Sequence, residues 1–158
     1  MDRDTLEAIR RMLTTRKVLC LTLIIDGEAA ASLLPFAVAP GFLGVYVQAS
    51  SLARHSRGLL AGAKVGLLVH DPDTDDVDPL QIARLSVQAT VEPLERDTGE
   101  CKAAADVISG RFPTANLTLT LADFRLYRLR FDHGRFIAGF AQAYDLTPET
   151  FREMADLR

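Results

Sequence analysis

The chain has little of several things that announce a function. It has two cysteines in 158 residues, Cys20 and Cys101, far apart and in no CxxC arrangement. That excludes a disulfide framework and a cysteine zinc site and fits a reducing compartment. Its three histidines, His55, His70 and His133, show no metal-binding spacing, so no protein metal site is expected. No apolar run reaches the roughly 18 residues of a membrane span. No Walker loop, GxGxxG or nucleophile elbow occurs, and no repeat or low-complexity linker. Net charge is only −3, which argues against a general nucleic-acid binder. The N-terminus, MDRDTLEAIRRML, is charged and helical and does not read as a signal peptide. The expected location is therefore the cytoplasm, without membrane or nucleic-acid partners.

What is present is an ordinary globular composition, 48% hydrophobic and 25% charged. This length suits one domain, residues 1–158, that buries about two thirds of its unfolded surface. Leu6, Ile9, Met12 and Leu13 form one stripe at helical spacing and predict a helix over Thr5 to Thr15. Val18 to Ile25 is a β-branched, apolar strand that holds Cys20 as a core residue. Asp26-Gly27 signals a hairpin into a second strand, Ala29 to Ala39. Pro35 inside that strand implies an edge, a bulge or a strand end. A third strand spans Phe42 to Gln48, a fourth Lys64 to His70.

The acidic stretch 71–79 lacks the glycine and terminal glutamate of a calcium loop and reads as solvated. A long half-buried strand follows over Leu80 to Leu94, then a connecting helix over Glu95 to Arg111. Residues 112–123 fit either a turn with a short helix or a strand. Phe124 to Phe131 is a strand, Asp132-His133-Gly134 a turn, and Arg135 to Phe140 a last strand. TPET at Thr147 starts a terminal helix. The sum is an α+β protein built on an antiparallel barrel of about six strands with peripheral helices.

The chemistry concentrates between Tyr46 and Leu60, YVQASSLARHSRGLL. It predicts a strand, a polar turn and an amphipathic helix. Ser50 and Ser51 stand at the N-cap, Leu52, Leu59 and Leu60 on the apolar face, and Arg54, His55 and Arg57 in the first two turns. Free N–H groups, two hydroxyls and cations at a helix start make an anion site suited to a phosphate. Elsewhere the residues offer no acid–base dyad. His70, at a strand end, and His133, in a turn, are isolated. Neither cysteine has the neighbours of a nucleophile.

The order of these elements resembles a known family. Ser32 to Pro35 gives S-x-x-P in the second strand. Ser51 to Leu59 gives S-L-A-R-H-S-R-G-L, Arg84 lies in the long strand, and Phe124 to Ala143 ends in G-R-F-I-A-G-F-x-Q-A. Together these resemble the pyridoxamine 5′-phosphate oxidase-like FMN-binding split-barrel family over residues 5 to 145, closest to its haem-utilisation branch. The resemblance implies FMN as cofactor. Its phosphate would lie on Ser50, Ser51, Arg54 and His55, with Arg84 reaching in from the long strand. Its ring would lie along Ser32, Leu33, Leu34 and Pro35, with Gln48 lining the same pocket. It further implies a homodimer with the cofactor at the interface, and a flavin-dependent oxidoreductase of unnamed substrate. In the oxidase proper a lysine replaces His55 and an arginine replaces Ser32. Two alternatives therefore stay open: a haem-binding or haem-utilisation protein on the same barrel, and a cofactor-less dimeric binding module.

Overall fold

A computed structural model describes residues 1–157. Asp2 caps the first helix, α1 (Arg3–Thr15), by accepting from the Thr5 amide at 2.9 Å, and its apolar stripe of Leu6, Ile9, Met12 and Leu13 is buried. Seven strands follow: β1 (Val18–Ile25), β2 (Glu28–Val38), β3 (Gly44–Ser50), β4 (Lys64–His70), β5 (Arg84–Pro93), β6 (Phe124–Gly139) and β7 (Gln142–Leu146). Their order is β3-β2-β1-β4-β5-β6-β7, and β3 also pairs with β6. Six strands thus close an antiparallel barrel, and β7 is added along the far half of β6. Closure leaves the barrel strands without a free edge. The expected α+β split barrel is the observed fold.

Local chemistry explains most of this. Asp26 and Gly27 both have positive φ, 53° and 82°, as a two-residue hairpin turn between β1 and β2 requires. Pro35 is where β2 leaves β1, its last partner there being Val18, before Phe36 begins the pairing with β3 through Val47. A residue without an N–H is tolerated at such a change of partner. Leu19, Leu21, Leu23 and Ile25 point into the barrel with Val65, Leu67, Leu85 and Val87. A second core lies outside β3 and β6, where Tyr46 and Leu126 meet Ala104 and Ile108 of α2 (Gly99–Arg111) and Ala115 of α3 (Ala115–Leu119). Thr147 caps α4 (Pro148–Glu153) with a capping box, and Phe151 and Met154 close one end of the barrel, fully buried.

Five sequence expectations are corrected. The Asp132-His133-Gly134 turn is instead the middle of the 16-residue β6. Asp132 is a bulge, skipped between the Gln88–His133 and Ala89–Phe131 pairs, and its carboxylate accepts from Lys64 at 2.7 Å and Thr90 at 2.8 Å. Those donors hold a turn-like sequence in an extended ladder. β7 was not expected. The long strand starts only at Arg84, after a 3₁₀ turn over Pro79–Gln81. Cys20 is half-buried on the outer side of β1 rather than in the core.

The fifth correction is the segment after β3. It is a five-residue 3₁₀ helix, Arg54–Gly58, capped by neither serine. Leu59 is buried, but Leu52 is 86% exposed and Leu60 is also exposed, so no apolar helix face forms. Gly58 lies so close to Leu23 and the Ile24 carbonyl that any side chain there would clash, so the end of this turn is packed against β1. The ambiguous residues 112–123 contain the short helix α3.

Candidate functional site

The polar turn after β3 consumes its own donors. The Ser51 amide donates to the Asp123 carbonyl at 2.7 Å, the Leu52 amide to Ser50 Oγ at 3.1 Å, and the Ala53 amide to the Ser50 carbonyl at 3.0 Å. Ser50 Oγ donates to Asp123 Oδ2 at 2.5 Å. A carboxylate therefore occupies the place where an anion was expected, and the flanking N–H groups are paired. Arg54 is exposed and faces Glu28 at 3.9 Å. Arg57 pairs with Asp26.

His55 turns inward. Its Nδ1 lies 3.0 Å from Ser32 Oγ, and its Nε2 is buried without a partner. Burial holds the imidazole below its ordinary pKa of 6.5, so the ring is neutral at pH 7. The turn and β2 thus bring together Ser32, Ser50, Ser51, Arg54 and His55, but not as converging donors to a phosphate.

Arg84 stands apart within one chain. Ser32 pairs with Leu21, Leu21 with Leu67 and Leu67 with Val87, so Arg84 lies three strands, about 14 Å, across the sheet and three residues along it. Its guanidinium donates to the Ile82 carbonyl at 3.1 Å.

The remaining positions divide by face. Leu34 points into the barrel and is buried. Leu33 points out and is 65% exposed. Pro35 and Gln48 line a pocket of about 350 Å³ between β2, β3 and the helices α2 and α3, with Lys17, Val18, Phe36 and Phe112. The Gln48 carbonyl oxygen accepts from Thr118 Oγ1 at 3.1 Å.

Across Lys17 and Val18 from this pocket lies a second cleft of about 460 Å³. Its floor is Val18, Cys20, Leu33 and Leu68, outer side chains of three adjacent strands, where Cys20 is paired with both Leu33 and Leu68. His70 and Pro72, beyond the end of β4, and Arg16 and Lys17, before the start of β1, also line it. Sequence reasoning missed Arg16, Lys17 and Asp123. The adjacent basic pair at the α1–β1 junction was the available signal for the first two. Nothing in sequence spacing links Asp123 to Ser50. Among the described residues no cluster of three or more histidine, cysteine or acidic side chains could hold a metal ion, and no helix is long and apolar enough to cross a membrane.

No family model matches the sequence. The chain is 28% identical over 151 residues to the haem oxygenase HutZ of Vibrio cholerae serotype O1, covering 94% of this chain and 85% of that protein. A crystal structure of HutZ, described as a haem storage protein, superposes with a TM-score of 0.71 at 25% identity over 82% of this chain and 89% of that one. A haem-binding protein from Mycobacterium smegmatis superposes with a TM-score of 0.83 at 21% identity. That match covers 97% of this chain but 62% of the other, so this chain spans less than two thirds of its length. A protein from Clostridium acetobutylicum related to general stress protein 26, of the pyridoxinephosphate oxidase family, gives 0.70 at 14% identity, over 96% of this chain and 99% of the other.

Proposed function

The chain resembles the haem-utilisation branch of the pyridoxamine phosphate oxidase-like split barrels in sequence as well as fold, and from that premise we propose that it binds haem. The observation that carries this is the 28% identity to HutZ over almost the whole chain. The chemistry of the outer barrel face supports it: apolar clefts of ligand size bordered by lysine, arginine and an exposed histidine. Haem bound there would supply the iron and its redox chemistry.

The flavin reading ranks second. It keeps one favourable feature, the pocket lined by Pro35 and Gln48, which suits a planar ring. Against it, Ser50 is committed to Asp123 and His55 to Ser32. A flavin-dependent oxidoreductase is accordingly the weaker proposal, and a cofactor-less module is the reading left if neither group binds.

The protein acts as a homodimer in this proposal. The outer face of β1, β2 and β4 exposes Ile24, Thr22, Ala29 and Ala31 beside Gly66, a surface of small and apolar side chains that a second copy would cover.

The test is titration of the purified protein with ferric haem, followed by the Soret band. Saturation near one haem per chain at micromolar affinity is expected. A linear, unsaturable rise indistinguishable from haem in buffer would overturn the haem reading.

A further inference from the structure

We infer that the crevice between α1 and the loop joining β4 to β5 binds a small amphipathic monocarboxylate, with Arg16 as the partner of the carboxylate. Nothing in this site depends on bound haem.

The first observation is an arginine without a partner. Arg16 follows α1, and its backbone is fixed on both sides. Its amide donates to the Met12 carbonyl at 3.0 Å, and its carbonyl accepts from the Arg111 guanidinium. The side chain is half-buried, and its Nε is shut off from solvent with no hydrogen-bond partner. Among the described residues Arg16 has no ion-pair partner either. The other half-buried arginines there, Arg10, Arg84, Arg111 and Arg128, all donate to a carbonyl or a carboxylate. A charged donor held out of water without an acceptor is an expensive omission, and a ligand carboxylate would repair it with a charge-assisted hydrogen bond.

The second observation is the crevice that Arg16 lines. It has a volume of about 460 Å³ and lies between α1, the segment 71–83 and the second half of β6. Met12, Pro72, Val77, Ile82, Phe136 and Ala138 give it apolar walls. Arg11 also lines it, with its guanidinium 3.8 Å from the carboxylate of Asp71, the one acidic lining residue. That pairing leaves the charge of Arg16 uncompensated. An apolar space with one spare positive charge selects an apolar body that ends in a single carboxylate.

The third observation is the charge of the loop itself. Asp73, Asp75, Asp76 and Asp78 are exposed on the same loop and do not line the crevice. They put negative charge beside it. One carboxylate on Arg16 is compensated, whereas a second anionic group would meet repulsion from the loop. Dicarboxylates and phosphates are therefore the poorer ligands. Arg16 and Pro72 also border the cleft over Cys20 and Leu33, so the two sites have to be told apart by residues that only one of them contains.

The experiment titrates the wild type with decanoate, 1-decanol and sebacate, which share one chain length, by calorimetry below the micelle concentration. Backbone amide and arginine Nε–H resonances are followed by NMR in parallel. One decanoate is expected to bind per chain, with decanol and sebacate weaker by about tenfold or more. The Arg16 Nε–H resonance should move together with the amides of Ala8, Thr74 and Ala138. Arg16→Met should bind decanoate no better than decanol. Ala138→Leu, which narrows the crevice from β6 and leaves Arg16 in place, should also weaken decanoate. Arg125→Met, at an exposed arginine elsewhere on β6, should match the wild type. Each variant is checked for native circular dichroism. If Arg16→Met does not fold, the Nε–H shift and Ala138→Leu decide the matter. Equal binding of decanoate and decanol, or of decanoate and sebacate, overturns the assignment. So do wild-type affinity in folded Arg16→Met or in Ala138→Leu, shifts confined to Val18, Cys20 and Leu33, and the absence of saturable binding at submillimolar decanoate.

Discussion

His55 and Ser32, 23 residues apart, meet with Nδ1 and Oγ 3.0 Å apart, and the half-buried imidazole keeps its Nε2 out of solvent without a partner. Burial lowers the pKa of that ring below 6.5. The folded state therefore resists the proton that the unfolded chain accepts. The stability this contributes is complete above pH 6.5 and is lost as pH falls through the folded-state value. Replacing His55 with Gln keeps a hydrogen-bonding group but removes the titration. Between pH 7 and pH 5 the wild-type denaturation midpoint should fall more steeply than that of His55→Gln. Parallel profiles would show that His55 is not the group responsible.

The flavin phosphate is expected to gain little from the turn after β3. Ser50 Oγ already donates to Asp123 at 2.5 Å. One charge-assisted hydrogen bond is worth ~1.5–3 kcal/mol, which would separate FMN from riboflavin by about tenfold or more. Fluorescence titration should instead find the two flavins within about threefold of each other. Asp123→Asn, which removes the competing charge, should shift the ratio toward FMN. A wild type that strongly prefers FMN would contradict this account of the turn.

Barrel closure depends on Gly44. A Cβ there would lie 2.5 Å from the Leu129 carbonyl oxygen and 3.1 Å from the Arg130 Cα, both backbone atoms of the closing strand. Gly44→Ala should destabilise by about 1–3 kcal/mol, the usual range for overpacking. Gly110, inside α2 with open space around it, offers the opposite case. Gly110→Ala should stabilise by about 0.5–1 kcal/mol. Urea denaturation of both variants checks the pair.

The C-terminal helix is a plug. Phe151 is fully buried, its ring centroid 4.7 Å from that of Phe131. Phe151→Ala should cost about 3–5 kcal/mol, as large-to-small changes in a packed core do. Thr147→Ala removes only the cap and should cost about 1 kcal/mol. Thermal or chemical unfolding that reverses this order would mean that α4 contributes through its backbone rather than its packing.

The proposed dimer has its own test. Ile24 is 59% exposed at the hairpin end of β1, opposite Ala29. Ile24→Glu should convert a dimer to a monomer at micromolar concentration in sedimentation equilibrium. A wild type that is already monomeric, or a variant that stays dimeric, removes this face from the interface.

Local rules carried far in this chain. The stripe of α1, the Asp26-Gly27 turn, the alternation in β1 and β6 and the Thr147 cap depend on neighbours within a few residues, and sequence displays those directly. The split-barrel architecture followed from them and from the order of motifs. His70 could be named as a strand-end histidine, and Pro35 as the mark of an edge, a bulge or a strand end, for the same reason.

Tertiary structure decided what the polar residues do. Ser50 and Ser51 have the right chemistry for a helix cap, but Asp123, 73 positions from Ser50, claims the Ser50 hydroxyl, and the segment after them is a short 3₁₀ helix packed on β1. Asp132-His133-Gly134 has the composition of a turn, yet Lys64 and Thr90 hold Asp132 as a bulge in a continuous strand. Arg16, Lys17, Leu33 and His70 share a cleft only because β1 lies between β2 and β4. The physical reason is common to all three. A hydrogen-bonding or charged group takes its role from the partner that space brings to it, and barrel closure brings partners from tens of residues away.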